Sequence, residues 1–228
     1  MSILRTISVS KLYNHDKVPV QALNGVSLTV EKGEFTAIVG PSGSGKTTLL
    51  NILGGLDEPT SGNVLIRDTD LFSLKENERI RFRLHHIGFV FQAYNLIPVL
   101  TAKENVAFIL QMQGVPKAEY ERRSADLLNA VGLGDKLNQR PGELSGGQQQ
   151  RVAVARALAS EPDFVLADEP TANLDSKSAT TLLDIMERLN REQGVTFLFS
   201  THDQRVVDRA RRVITLVDGE VASDIRSA

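Results

Sequence analysis

Apolar residues in this chain fall into short runs with two different rhythms. "FTAIV" (35–39), "FVLA" (164–167) and "TFLFS" (196–200) are nearly continuous apolar stretches. A strand covered on both faces needs no alternation, so these runs predict strands of a buried parallel sheet. "VSLTV" (26–30), "EFTAIVG" (34–40) and "NVLI" (63–66) each follow a turn pair: Asn24-Gly25, Lys32-Gly33 and Ser61-Gly62. "VITLVDGEVAS" (213–223) predicts a hairpin turning at Asp218-Gly219. The second rhythm is helical. It covers "KTTLLNILGGL" (46–56), much of 101–133, then 147–159 and 176–192. Within 147–159, Val152, Ala155, Leu158 and Ala159 recur at helical spacing and share one face. Strands dominate both ends and helices fill the middle. The pattern predicts one α/β domain over 1–228, with a core from 1–92 and 161–228. A helical insertion (93–160) splits that core, and a small antiparallel sheet lies near the N-terminus.

Composition narrows this picture only a little. Hydrophobic residues make up 41% and charged residues 24%, as in an ordinary globular chain. A formal charge of −2 offers no overall field for nucleic acid or anionic lipid. "RIRFRLHHI" (79–87) is locally basic and reads as a solvated face. With no cysteine there is neither a disulfide framework nor a thiolate metal site. The opening "MSILRTISVSKLYNHDK" lacks the apolar segment of a secretion signal. No apolar run reaches the roughly 18 residues of a membrane span. The expectation is a cytoplasmic chain whose membrane role needs a separate partner.

The chemistry concentrates where strands end. "GPSGSGKT" runs through Gly40, Pro41, Ser42, Gly43, Ser44, Gly45, Lys46 and Thr47, with Thr48 next. It matches the phosphate loop G-x-x-x-x-G-K-[ST], between a buried strand and a helix. Glycines let backbone N–H groups face phosphate oxygens, and Lys46 brings charge to the β- and γ-phosphates. The Thr47 hydroxyl suits Mg²⁺, and the helix directs its positive end at the anion. "FVLADEP" ends a strand in Asp168, fit for a metal-linked role, and Glu169, fit to orient or deprotonate water. Acids at a helix start are an equally ordinary reading of that pair. His202 in "FSTHD" and Gln92 in "GFVFQAYN" also follow apolar strands, where α/β sheets bind ligands. "LSGGQ" (144–148) opens the helix of 147–159. Ser145 stands where an N-cap belongs. A cap does not require Gly146 and Gly147, which weaken a helix start. Their presence points to the close approach of another backbone or an anion.

Taken in order, these motifs resemble the ATPase subunits of ABC transporters over essentially the whole chain. They comprise a Walker A loop at 40–47, Gln92, LSGGQ, a Walker B strand at 164–169, "NLD" at 173–175 and His202. The resemblance implies a P-loop NTPase (RecA-like) core with an N-terminal antiparallel β subdomain and an inserted α-helical subdomain. It further implies ATP and Mg²⁺ as cofactors and a head-to-tail homodimer with composite sites. In such a site, the Walker loop amides and Lys46 hold phosphates, while Thr47, Gln92 and Asp168 approach the metal. Glu169 is the general base, and His202 positions the γ-phosphate and water. Tyr13 stacks on adenine. Ser145, Gly146, Gly147 and Gln148 close on the neighbour's nucleotide, and Asp175 links the two sites.

"NILGGLDEPTSG", "FVFQAYNLIPVLTAKENV" and "ADEPTANLD" look like the LolD-like and MacB-like subgroup of lipoprotein-release and macrolide-export cassettes. Importer cassettes often read "DEPLSALD" instead. That likeness implies an FtsX-like membrane permease in trans, and a place on the inner face of the membrane through it. Tyr94, Leu96, Ile97, Val99 and Leu100 read as core of the insertion, or in part as an exposed contact patch for that permease. The rival readings are a cell-envelope mechanotransmission or DNA-maintenance cassette, a translation-type cassette, and a small-molecule kinase. DNA-maintenance chains carry long coiled coils between Walker A and LSGGQ, and no heptad run intervenes here. Translation-type chains carry two cassettes, and this chain has one set of motifs. A kinase would not explain LSGGQ or Glu169.

Overall fold

The computed structural model describes residues 2–14 and 18–227. Its strands are β1 (Ser2–Tyr13), β2 (Val20–Glu31), β3 (Phe35–Val39), β4 (Ser61–Ile66), β5 (Thr69–Asp70), β6 (Ile87–Val90), β7 (Phe164–Asp168), β8 (Phe197–Ser200), β9 (Arg212–Val217) and β10 (Glu220–Arg226). Its helices are α1 (Lys46–Leu53), α2 (Glu76–His86), α3 (Ala102–Met112), α4 (Lys117–Ala130), α5 (Gly146–Leu158), α6 (Ser176–Gln193) and the short α7 (Gln204–Val207). A 3-10 turn at Pro141–Glu143 precedes α5.

The predicted buried strands form the centre of a six-stranded sheet ordered β10-β9-β3-β8-β7-β6. Neighbours from β9 to β6 run parallel, and only the closing β9–β10 hairpin is antiparallel. The continuous apolar runs follow from this position. Along β7, Phe164 and Leu166 pack with α1 and the N-terminal strands, while Val165 and Ala167 face the helical side. Both faces are covered, so the runs are mostly apolar, and the polar exceptions, Thr36 and Ser200, are fully buried. Phe35, Phe197 and Phe199 fill the helical side with ring centroids 4.7–5.8 Å apart. The antiparallel sheet, ordered β2-β1-β4-β5, is the one expected near the N-terminus.

Besides the very short β5 and α7, two longer elements escape the periodicity. β1 is a twelve-residue strand, but register shifts against β2 break its inside–outside alternation. α2 buries none of its residues, so it has no apolar stripe to read. Its start is marked locally instead, by the Glu78 carboxylate, which accepts from the Lys75 N–H.

Arg212 ties the C-terminal hairpin to the core at 4% exposure. It donates to both oxygens of Asp224 (2.7 and 2.6 Å), to Glu34 Oε2 (2.9 Å) and to the Thr29 carbonyl (2.6 Å). Removing it takes both hydrogen bonds from Asp224, leaves Glu34 with Arg226 as its cation, and leaves the Thr29 carbonyl without this donor. Arg212→Met is therefore expected to cost about 3 kcal/mol in a urea melt, since breaking one side of a buried pair is the expensive change.

Candidate active site

β3 delivers the chain to the glycine-rich loop, and α1 begins at Lys46, directly after it. Two glycines are required by space. A Cβ on Gly40 (φ 151) meets the Leu216 carbonyl oxygen at 2.1 Å, and one on Gly45 (φ 97) meets the Ala22 oxygen at 2.3 Å. Lys46 Nζ donates to the carbonyls of Gly40 (2.8 Å) and Pro41 (3.0 Å), which places its charge over the loop. The Ser44 hydroxyl is buried there without a protein partner among the described residues. Thr47 Oγ1 donates to Asp168 Oδ1 at 3.3 Å. Burial pushes the Asp168 carboxyl above its ordinary value, against the lowering by nearby hydroxyls and Lys46.

Glu169 follows with left-handed backbone (φ 45), an uncommon conformation for a non-glycine residue. Its N–H donates to the Ser200 carbonyl at 2.9 Å, which holds the turn in place. One carboxylate oxygen lies 2.8 Å from His202 Nδ1, and the other accepts from Thr201 Oγ1 at 3.3 Å. Backbone strain supported from three directions is the usual mark of a functional position. Lys46, Thr47, Thr48, Gln92, Glu169 and His202 line one cavity of about 600 Å³ together with Gly40, Ser42, Gly43, Ser44 and Gly45. That volume suits a nucleotide-sized ligand. Gln92 enters two residues beyond the end of β6, and its backbone carbonyl accepts from Asn173 Nδ2 at 3.0 Å.

Other predicted residues lie elsewhere. Tyr13 pairs in register with Val20, which lines the cavity, so it stands at the rim. Its hydroxyl donates to Asp57 Oδ2, and the Lys11 ammonium lies 4.8 Å from its ring centroid. Part of the adjoining stretch, residues 15–17, lies outside the described residues. Ser145 caps α5 as expected: its hydroxyl accepts from the Gln148 N–H at 3.3 Å, and Gln148 Oε1 accepts from the Ser145 N–H at 2.8 Å. Ser145, Gly147 and Gln148 line a second cavity of about 170 Å³ with Arg151, Lys177 and Ser178, separate from the phosphate-loop cavity. A neighbour within the chain accounts for the glycine behind the cap. A Cβ on Gly147 meets Ser178 Cβ at 2.8 Å, so α6 packs where a side chain would stand. On Gly146 the first contact is the Tyr94 hydroxyl, also 2.8 Å away. The Asp175 carboxylate is engaged as the N-cap of α6, accepting from the N–H (2.9 Å) and hydroxyl (2.6 Å) of Ser178.

Sequence reading passes over Thr201 and Asp203, because neither belongs to a phosphate-loop signature. Asp203 accepts from Arg205 and from Thr171 Oγ1 (2.7 Å), which holds its carboxyl down at about 2. The folded value lies below the unfolded one, so the folded state releases the proton more readily. Its stabilisation is present above the ordinary carboxylate value and is lost as pH falls towards about 2. Wild type and Asp203→Asn are therefore expected to differ in melting temperature at neutral pH and to converge across that acid window.

A strand, a glycine-cornered loop and a helix aimed at one cavity make this a phosphate-loop nucleotide-binding protein. A family model described as "ABC transporter" matches residues 23–172. The chain belongs to that family: it is an ATP-binding cassette, an ATPase of the ABC type. Over 96% of its length it is 48% identical to an uncharacterized ABC transporter ATP-binding protein of Thermotoga maritima, covering 93% of that protein. It is also 48% identical to the lipoprotein-releasing system ATP-binding protein LolD 1 of Rhodopseudomonas palustris, covering 96% of this chain and 98% of that one. With the macrolide export ATP-binding/permease protein MacB of Hyphomonas neptunium it shares 48% identity, but it spans only 33% of that longer chain. The solved dimeric cassette MJ0796, described as a bacterial ABC transporter cassette, superposes with a TM-score of 0.90 at 42% identity over 99% of both chains. A second structure of MJ0796, likewise dimeric, holds ADP and Pi in a post-hydrolysis state with the same figures.

Proposed function

We propose that this cassette hydrolyses ATP to power a separate membrane permease, with Glu169 as the general base. The carrying observation is the support of Glu169 by His202 and Thr201 on the wall of the cavity that holds Lys46 and Thr47. In this reading the Walker loop amides and Lys46 bind the phosphates, and His202 orients the γ-phosphate and the water. Tyr13 stacks on adenine from the rim. The Thr47 hydroxyl, the Asp168 carboxylate and the Gln92 amide are hard oxygen donors and fit Mg²⁺. The half-buried Asp168 also fits, because a cation relieves the cost of its charge. When bound, Mg²⁺ supplies charge neutralisation at the transferred phosphoryl group.

Two separate cavities support a head-to-tail homodimer, in which Ser145, Gly146, Gly147 and Gln148 close on the partner's nucleotide. Asp175 lies beside that face. The MJ0796 structures are dimeric, which supports the pairing of two cassettes.

Docking of the permease is proposed at an apolar groove of about 400 Å³ between α2, α3 and β6. Ile80, Phe108 and Met112 on its walls are 48%, 39% and 54% exposed. Ile97 from the predicted contact stretch lines it, whereas Leu96 packs on the core. Among the described residues no helix is long and apolar enough to cross a membrane. The occupant proposed is an apolar cytoplasmic segment of an FtsX-like permease, which would hold the cassette on the inner face of the membrane. The names of the LolD and MacB relatives support a lipoprotein or macrolide cargo, and a peptide-like cargo is the further alternative, selected in each case by the permease and not by this chain. Phe108→Asp is expected to leave ATPase activity of the isolated cassette within about twofold while abolishing co-purification with its permease, because the change buries a charge at the contact. Full co-purification would move the docking site elsewhere.

A further inference from the structure

Arg156 occupies the last turn of α5, at the opposite end from Ser145. Its guanidinium donates to two consecutive carbonyls, Tyr94 at 2.8 Å and Asn95. Both of those residues hold left-handed backbone, at φ 54 and 51. Among the described residues no carboxylate pairs with Arg156, although burial pushes its ionisation down. A partly buried cation given only to neutral backbone oxygens is a costly arrangement unless the backbone must be held.

The held backbone is the stretch that presents Gln92. Three further ties fasten it. Gln150 Nε2, also on α5, donates to the Phe91 carbonyl at 3.3 Å. Asn173 Nδ2 donates to the Gln92 carbonyl, and the Tyr94 hydroxyl donates back to the Asn173 carbonyl at 3.4 Å. Residues 91–95 are thus gripped by α5 on one side and by the segment after Glu169 on the other. Arg156 also lines the apolar groove, beside Asn95 and Ile97.

We infer that Arg156 is the positioning residue for Gln92, locking residues 91–95 to α5 so that any displacement of that helix carries Gln92 with it. A planar guanidinium suits this task. It forks to adjacent carbonyls in one fixed geometry, which an ammonium cannot match. Paired anchors on successive left-handed residues leave the loop little slack. The same side chain stands in the groove wall, so a segment seated there presses on the anchor itself. The inference rests on the proposal that Gln92 faces the reacting nucleotide.

The test compares Arg156→Met and Arg156→Lys with wild type in three measurements: Mg·ATP turnover, affinity for a fluorescent ATP analogue, and hydrogen exchange resolved to residues 91–97 and to α5. Arg156→Met is expected to lower kcat about 100-fold, the scale of a misplaced catalytic contact. Its nucleotide affinity should stay within about twofold, because most of the phosphate contacts come from the Walker loop amides and Lys46, which the substitution leaves in place. Amides of 91–97 should exchange faster while those of α5 keep their protection. In a Gln92→Ala background the same substitution should have little further effect on kcat, and Arg156→Lys should fall between wild type and Arg156→Met. Unchanged exchange at 91–97 would overturn the inference. So would a kcat loss that multiplies in full with that of Gln92→Ala, which would show the two residues acting separately. If Arg156→Met does not fold, Arg156→Lys carries the same comparisons, with wild-type kcat and exchange as the overturning result. Absence of turnover in wild type would count against the hydrolysis proposal alone, because the exchange measurement decides the tether without it.

Discussion

Glu169→Gln is expected to lower ATP turnover by about 10²–10⁴, the range lost with a general base. The amide is nearly isosteric. It keeps a hydrogen bond to Thr201 or His202 and preserves the left-handed turn braced by Ser200. What it loses is the ability to take a proton from water. It also removes a negative charge from beside the phosphate groups, which makes ATP-bound closure of two cassettes more favourable. The variant should therefore bind ATP and run as a dimer on size-exclusion chromatography with Mg·ATP, while wild type turns ATP over and separates. Turnover within about tenfold of wild type would remove Glu169 from the role of base. ATP binding without dimerisation at high protein concentration would instead count against the composite site.

Gly40→Ala is expected to abolish ATP binding and to cost about 3 kcal/mol of stability, as overpacking against an unyielding neighbour does. The added methyl would lie 2.1 Å from the Leu216 carbonyl oxygen, which belongs to the sheet itself. Neither β9 nor the loop can give way without moving Lys46, whose ammonium donates to the Gly40 carbonyl. Gly43→Ala is the control. Gly43 also holds a left-handed φ, 80, but nothing lies within 4 Å of its added Cβ. Only the conformational penalty applies there, about 1 kcal/mol. Isothermal titration with ATP and thermal melts of both variants separate loop geometry from simple glycine preference. Equal losses in the two would mean that the clash at Leu216 is not what makes Gly40 necessary.

Much of this molecule is local, and local physics is readable along a chain. Apolar runs long enough for a strand and free of polar alternation have only the middle of a covered sheet to occupy, and β3, β7 and β8 lie there. Ser145 and Asp175 cap helices because their side chains reach an N–H three residues on, a distance set by sequence. The phosphate loop is contiguous, so its glycines, Lys46 and Thr47 come together by chain connectivity. Each of these follows from neighbours within a few residues.

The tertiary structure decided everything that depends on residues distant in sequence. α2 has no buried stripe, and bulges interrupt the alternation of β1, so neither carries a periodic signal. Gly147 is glycine because Ser178 packs against it, and that contact exists only once α5 and α6 are assembled. Gln92, Glu169 and His202 come from three different strand ends and share a cavity with Lys46 only because β3, β8, β7 and β6 lie side by side. Arg156 looks in sequence like a polar position on an amphipathic helix. Its grip on Tyr94 and Asn95, about sixty residues earlier, depends on how α5 packs against β6. Chain-local hydrophobicity, caps and loop chemistry were enough to determine the class of the fold and the identity of the phosphate site. Which residues reach across to hold that site in register was settled by packing between elements, where spacing along the chain carries no information about distance in space.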